Sequence, residues 1–137
     1  MLSTIFIGVT ILFLIINLYY FFTNKDFKKS YASPALFFKL VYVFISITLG
    51  FAVLYQLLSL EEAVLVINDP TGQPASESFL THLYYSGVTI LSVGYGDLVP
   101  VGPARLFSLV EAGIGLLLPS AYFMKAISSS RNEEEES

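Results

Sequence analysis

Two apolar runs, each long enough to cross a lipid bilayer, constrain this chain more than any other feature of its sequence. Residues 2–22 contain no charge, and residues 35–60 contain only Lys39. About 20 apolar residues in a helix span the ~30 Å hydrocarbon core. A third run, residues 105–127, is mostly apolar. Because only 13% of the 137 residues are charged, too few for a soluble surface, we expect an all-α integral membrane protein.

The stretch between the second and third runs, residues 68–99, is too short and too polar to cross a membrane. A stretch of this kind between two spanning helices is typical of a re-entrant segment, which enters the bilayer and leaves on the same side.

The basic residues predict the orientation, because positive side chains concentrate on the cytoplasmic side of membrane proteins. One cluster lies around the loop between the first and second runs and contains Lys25, Lys28, Lys29 and Lys39; the other lies at the end of the third run and contains Lys125 and Arg131. Two membrane crossings separate the clusters, so both face the same side. We therefore expect a multi-pass protein of the cell membrane with an external amino terminus and a cytoplasmic carboxyl terminus. Residues 24–34 would form a cytoplasmic basic loop, and residues 130–137 a disordered acidic cytoplasmic tail.

Residues 1–23 allow two interpretations, a cleaved secretory signal or a retained helix. A signal peptide begins with basic residues and ends at a small-residue cleavage site. Neither feature is present here, and residues 19–22 are all aromatic, as in an interfacial belt. The sequence favours an additional N-terminal transmembrane helix.

The re-entrant segment begins with a helical pattern. Residues recur at three- and four-residue spacing at Phe79, Leu83, Ser86 and Ile90. We expect a helix over residues 77–91, capped by Glu77 or Ser78. At 1.5 Å per residue it extends ~20 Å, about halfway into the membrane.

Glycines at alternate positions, Gly94 and Gly96, predict an unusual strand after this helix. Glycine adopts positive φ without steric penalty, and alternation of ordinary and positive φ points successive carbonyl groups one way. Such carbonyls would be unsatisfied in a bilayer unless four chains share them around an axis, where they replace the water shell of a cation. Neutral oxygens, with the Ser92 hydroxyl at the inner end, suit an alkali cation. The partly negative carboxyl end of the helix and the external Asp97 carboxylates would further stabilise the cation.

The segment Ser92-Val93-Gly94-Tyr95-Gly96-Asp97 resembles the pore signature of two-transmembrane bacterial-type potassium channels. The resemblance extends to residues 83–86, Thr89 and residues 97–100, and covers roughly residues 35–127. It implies a homotetrameric pore domain over residues 35–129 that conducts potassium passively. Its parts would be an outer helix (35–60), a turret (61–76), a pore helix (77–91), a filter (92–97) and an inner helix (104–128). Potassium would bind at Ser92, Val93, Gly94 and Tyr95, with Gly96 completing the filter.

The sequence departs from the family pattern around the filter. Ser92 stands where threonine is usual, so it keeps the hydroxyl but lacks the methyl group. Val88 stands where some relatives have a glutamate that pairs with the aspartate at the position of Asp97. The resemblance implies that Tyr84 hydrogen-bonds Asp97 instead, and that Thr89 supports the filter from the pore helix.

Five residues of the third run are candidates for a role in an inner helix. Gly115 matches a hinge glycine, and Pro119 would bend the helix with it; close packing of small residues is the alternative. Phe123 and Ile127 would narrow the cytoplasmic end as a gate. Glu111 is an acid inside a span, where an ionisable side chain is costly and therefore indicates a role. We expect it to face Thr89 or Ser86 behind the filter, protonated or hydrogen-bonded; a cavity-facing charge is the alternative.

Three other classes of function compete with a potassium channel. Ser92 leaves a weakly selective monovalent cation channel open, and a non-conducting membrane subunit with a pore-like sequence is a further alternative. An enzyme is disfavoured because no nucleophile with a base, phosphate loop or metal cluster is visible. We expect potassium ions and membrane lipid as partners, and neither nucleic acid nor a small-molecule substrate. No span carries the arginine series of a voltage sensor.

Overall fold

A computed structural model describes residues 1–23 and 34–136 of the chain. Within them the elements are α1 (Leu2–Thr23), α2 (Pro34–Leu58), β1 (Leu65–Ile67), α3 (Phe79–Ile90), β2 (Leu98–Pro100) and α4 (Ala104–Glu136). Helices α1, α2 and α4 are long and apolar enough to cross a membrane, whereas α3 has only 12 residues. The prediction of an all-α membrane fold with three spanning helices is confirmed.

Helix α1 packs antiparallel against α2. At one end the Ser3 hydroxyl donates a hydrogen bond to Glu61 Oε1 at 3.0 Å. At the other end Lys39 Nζ lies 5.1 Å from the centroid of the Tyr20 ring. The amino terminus therefore lies at the same end of the molecule as the segment that follows α2. The predicted basic loop, with Lys25, Lys28 and Lys29, lies outside the described residues.

Helix α2 forms the centre of the subunit because it contacts α1, α3 and α4. Its buried residues recur at helical spacing and include Leu40, Val43, Ile47, Phe51, Leu54 and Tyr55. The opposite face carries exposed Phe38, Tyr42, Ile45 and Leu49. In a bilayer this second face is compatible with lipid or with another helix, so the subunit does not need to bury it.

A small sheet lies between α2 and α4 in the chain and was not anticipated from the sequence. Strand β1 pairs antiparallel with β2, with Ile67 opposite Leu98, and the Val101 amide donates to Val64 O at 2.8 Å. On the other edge of β1 the Ala75 amide donates to Leu65 O at 2.9 Å. The sequence predicted only a connecting turret over residues 61–76. The pairing was missed because the two strands are about thirty residues apart.

Helix α3 begins directly after Ser78, whose hydroxyl accepts a hydrogen bond from the Thr81 amide at 3.3 Å. Ser78 was one of the two predicted caps. The helix covers residues 79–90, a shorter range than the predicted 77–91. It is tied to α2 by His82, whose Nδ1 lies 3.1 Å from Gln56 Oε1.

Helix α4 is longer than the sequence predicted. We expected an inner helix over residues 104–128 and a disordered tail over residues 130–137, but the helical backbone continues to Glu136. Residues 129–136 contain no glycine or proline, and their glutamates are good helix formers. Nothing local therefore ends the helix where the apolar run stops. Pro119 lies inside α4, and the helix continues on both sides of it.

Candidate functional site

Residues 92–96 connect α3 to β2; this segment, called the strand below and distinct from β1 and β2, has the alternating backbone that the two glycines predict. Gly94 has φ +52° and Gly96 has φ +78°. Ser92 has φ +56° and is the one non-glycine residue with positive φ in the described part of the chain, so Val93 and Tyr95 between these positions have ordinary φ. The alternation therefore extends two residues further toward α3 than the glycines alone indicate. The left-handed conformation at a serine has a steric cost, which the sequence did not reveal.

The first part of this strand is held to the end of α3 by its amide groups. The Val93 and Gly94 amides both donate to Val88 O, at 2.9 and 3.1 Å, and the Ser92 amide donates to Thr89 O at 3.0 Å. These N–H groups are thus satisfied within the same chain by the last turn of α3. Within the described part of the chain no hydrogen bond uses the carbonyl oxygens of residues 92–94, which leaves them open to other ligands such as a cation.

Residues 91–97 are all exposed in the single subunit. Apolar side chains are among them: Val93 is 48% exposed and Tyr95 is 72% exposed. A row of bare main-chain groups is tolerated in a membrane protein where other protein covers it or where it lines a water-filled cavity. Exposed apolar side chains beside such a row are typical of an interaction surface.

The outer end of the strand is held by three hydrogen bonds from two residues. The Tyr84 hydroxyl donates to Asp97 Oδ2 at 3.0 Å, the contact that the resemblance implied. Asn68, directly after β1, contributes the other two: its backbone amide donates to Asp97 O at 2.9 Å, and its Nδ2 donates to Gly96 O at 2.8 Å. Sequence reasoning missed Asn68. The one signal that could have found it is the apolar run that ends in Asn-Asp-Pro, a pattern typical of a strand followed by a turn.

A buried polar cluster lies behind the strand, between α2, α3 and α4. Glu111 on α4 has no exposed surface; its carboxyl group accepts hydrogen bonds from the Ser86 hydroxyl and from Tyr55 OH, the latter at 2.7 Å. Ser108 Oγ lies 3.2 Å from Tyr55 OH and accepts a hydrogen bond from Tyr85 OH at 2.8 Å. In the described residues no buried side-chain polar atom lacks a partner. The cluster therefore joins three helices at one point.

Two of the residues predicted to lie near Glu111 have different surroundings. Ser86 is a direct partner, as expected, whereas the Thr89 hydroxyl donates to Tyr85 O at 2.7 Å within its own helix. Thr89 instead supports the strand through its carbonyl, which accepts from Ser92. Tyr55, 56 residues before Glu111, was missed because its only sequence signal is a hydroxyl within an apolar helix.

Gly115 is the point of closest approach between α4 and α3. A Cβ placed at this position would lie 1.8 Å from Ile90 O and 2.7 Å from Ile90 C, contacts that only glycine avoids. Gly113 has no atom within 4 Å of such a Cβ in the described structure. Gly115 therefore permits packing against the pore helix, the alternative to a hinge. Its presence is explained without any bending of α4.

Phe123 and Ile127, which were predicted to narrow the cytoplasmic end of the third span, lie on the open side of α4 together with Leu116. Leu116, Phe123 and Ile127 are each more than 60% exposed, and their spacing of seven and four residues places them on one face. Pro119 is half-buried, beside Gly87, Ile90 and Leu91 at the end of α3. One face of α4 is thus free from the level of the strand to the end of the span.

Two acidic side chains lie near the end of the strand that leads into β2. Asp97 is exposed beside the last carbonyl groups. In the turn after Asn68, a hydrogen bond from Thr71 lowers the pKa of the Asp69 carboxyl below its usual value, as do the Thr71 and Gly72 amides. Asp69 is therefore ionised at neutral pH. Among residues 1–23 and 34–136 no group of three His, Cys, Asp or Glu side chains is placed to hold a metal ion.

Comparison with known proteins agrees with this geometry. A family model described as "Ion channel" matches residues 41–129, more than half of the chain. The chain is 38% identical over 101 residues to the voltage-gated potassium channel Kch of Escherichia coli K12, which corresponds to 71% of this chain and 21% of that protein.

Two further relatives are proteins named LctB. The one from Bacillus caldotenax is 32% identical over 64% of this chain and 67% of its own length. The one from Geobacillus stearothermophilus is 33% identical over 60% of this chain and 63% of its own length. The chain thus spans about two thirds of these relatives and about a fifth of Kch. No solved structure matches it.

Proposed function

Because this multi-pass membrane chain belongs to the ion-channel family with a two-helix pore domain, we propose that four copies surround a central pathway and conduct potassium ions down their electrochemical gradient. The observation that carries the proposal is the strand of residues 92–96. Its φ values alternate, its inner amides are used within the subunit, and its outward surface is bare. Four such strands around one axis would supply rings of carbonyl oxygens.

Carbonyl rings are suited to potassium because they replace the hydration shell without binding the ion too tightly to release it. In the proposal the ligands are the main-chain oxygens of Val93, Gly94 and Tyr95 and, at the inner end, the oxygens of Ser92. Gly96 completes the pathway outside them. The carboxyl ends of four α3 helices would direct partial negative charge at the ions where the bilayer makes a charge most costly.

The proposal assigns the inner helix α4 to the cytoplasmic half of the pathway. Its free face would line a cavity, with Phe123 and Ile127 as a hydrophobic constriction that opens and closes by dewetting. Pro119 lacks an amide hydrogen, which makes this part of α4 the place where bending costs least. Bending between Gly115 and Pro119 would widen the constriction. The amino terminus and the β1–β2 sheet would then be external and the end of α4 cytoplasmic.

Two alternatives differ from the proposal in what they predict for ion flux. A weakly selective monovalent cation channel is favoured by Ser92, which keeps a hydroxyl but lacks the methyl group that would pack beside the innermost site. A non-conducting membrane subunit would show no flux at all. Against the second, Gly94 and Gly96 both occupy the left-handed region that a conducting strand needs.

Ion flux into liposomes that contain the purified full chain tests the proposal. We expect uptake of potassium in large excess over sodium, with block by barium. Gly94→Ala should abolish uptake because alanine at φ +52° is strained. Gly8→Ala is the matched control, since a Cβ at position 8 meets no atom within 4 Å in the described structure. Equal sodium and potassium uptake would establish the weakly selective channel, and no uptake by the wild type would refute conduction.

A further inference from the structure

Asn68 connects the external sheet to the last carbonyl groups of the strand. It follows β1 directly, and its side-chain Nδ2 donates to Gly96 O at 2.8 Å. Its backbone amide donates to the next carbonyl, Asp97 O, at 2.9 Å. One exposed residue thus contacts two consecutive peptide groups at the outer end of the proposed ion pathway.

The residues before and after Asn68 in the chain fix its position. Before it, β1 is held to β2, with Ile67 opposite Leu98. After it, the chain turns through residues 69–72, where Asp69 Oδ1 accepts hydrogen bonds from the Thr71 and Gly72 amides, both at 2.9 Å. The turn brings the chain back to β1, where the Gln73 carbonyl accepts a hydrogen bond from the Ile67 amide at 2.8 Å. The Asn68 side chain is therefore presented to Gly96 by a closed loop rather than by a free one.

Gly96 needs such a restraint more than the residues before it. The amides of residues 92–94 are anchored to the last turn of α3, whereas Gly96 lies beyond that anchor. It has φ +78°, and a Cβ placed on it would meet no atom within 4 Å in the described part of the chain. A glycine with open space around it can rotate its peptide group at little steric cost. The Asn68 amide is the group that opposes this rotation.

We propose that Asn68 is a positioning residue for the outer end of the filter: its side-chain amide holds the Gly96 carbonyl, and so keeps the outer ion site formed when few ions occupy it. The inference rests on the proposed potassium conduction. It assigns the external sheet a part in conduction, because the pairing of β1 with β2 fixes the position from which Asn68 reaches Gly96. When external potassium is high, bound ions hold the carbonyl groups themselves, so the amide matters most at low potassium.

The test compares Asn68→Asp and Asn68→Ala with charge-matched controls on the same loop, Gln73→Glu and Gln73→Ala. Aspartate has the shape of asparagine but no donor when ionised. After external potassium is replaced by a large organic cation, the potassium flux of the liposomes should decay about fivefold faster in both Asn68 variants than in the wild type, the change expected for one hydrogen bond. High external potassium should restore the flux. The Gln73 variants should behave like the wild type.

A second measurement does not depend on flux. With carbonyl-13C glycine in the assembled protein, the Gly96 resonance should shift in Asn68→Asp and stay unchanged in Gln73→Glu. An unchanged resonance, or decay of flux in the Asn68 variants at the rate of their controls, overturns the inference. If the wild type conducts no potassium, the proposed function fails, and the Gly96 resonance alone then decides whether Asn68 holds this carbonyl.

Discussion

At the scale of single residues, one carboxyl group is buried among hydroxyls. Glu111 has no exposed surface, and its described partners, Ser86 and Tyr55, are neutral donors. Isolated charge is expensive in a low-dielectric interior, so this site depends on its hydrogen bonds. The carboxyl group faces α2 and α3 rather than the free face of α4, which supports a structural role over a cavity-facing charge.

Glu111→Gln should therefore leave potassium conductance nearly unchanged. Glutamine keeps the size of the side chain and one carbonyl acceptor, while both hydroxyl partners can also accept from its amide. Glu111→Ala should lower the free energy of subunit unfolding by ~1–3 kcal/mol, because it leaves a cavity and removes the shared acceptor. Single-channel recording measures the first effect and thermal denaturation in detergent the second. The exposed Glu77→Gln is the control. A large fall in conductance of Glu111→Gln would instead favour a cavity-facing charge.

At the scale of secondary-structure elements, the contact between α4 and the end of α3 determines how these two helices pack. Gly115 lets α4 approach the carbonyl of Ile90, the last residue of α3. Another face of α4, with Leu116 and Phe123, stays exposed. The same closeness means that substitution of Gly115 disturbs packing whether or not α4 bends.

Gly115→Ala should destabilise the protein by ~1–3 kcal/mol, toward the upper end because its neighbour is backbone and cannot move aside. Gly113→Ala, two residues away in the same helix, should be neutral or slightly stabilising, since alanine is the better helix former. Denaturation of both variants in the same detergent measures the difference. Equal stability of the two would show that α4 and α3 are further apart than described. The hinge itself is better tested by Pro119→Ala, through the open probability.

At the scale of the whole molecule, a single copy of the chain leaves its most important surface uncovered. Residues 91–97 and one face of α4 are exposed together. If other copies of the chain packed around a common axis, they would cover both surfaces. Ions bound between the copies would then stabilise only the assembled state, since one strand alone offers too few oxygens.

The assembly should therefore be a tetramer whose thermal stability rises with potassium and not with sodium. A ligand that binds only the assembled form stabilises it by about 2.7 kcal/mol at one hundred times its dissociation constant. Mass measurement in lipid discs gives the copy number, and gel analysis of heated samples in each salt gives the stability. Gly94→Ala should lose the difference between the salts. A dimer, or identical stability in both salts, would contradict this arrangement.

Local patterns in the sequence were enough to locate the spans and the strand. The three spanning helices follow from runs of apolar residues, and Gly94 and Gly96 predict the left-handed positions because only glycine adopts them freely. The contact of Tyr84 with Asp97 also came from the family resemblance. The left-handed Ser92 was missed because serine gives no local signal for positive φ.

Tertiary structure alone decided which distant residues support that strand. Tyr55 joins Glu111, and Asn68 joins Gly96, across separations of 56 and 28 residues. It also decided that Gly115 packs against Ile90. The physical reason is that helical spans and glycine conformations depend on neighbours along the chain, whereas a hydrogen-bond partner or a close approach depends on how whole helices pack. One sequence specifies the first directly, and the second only through the fold.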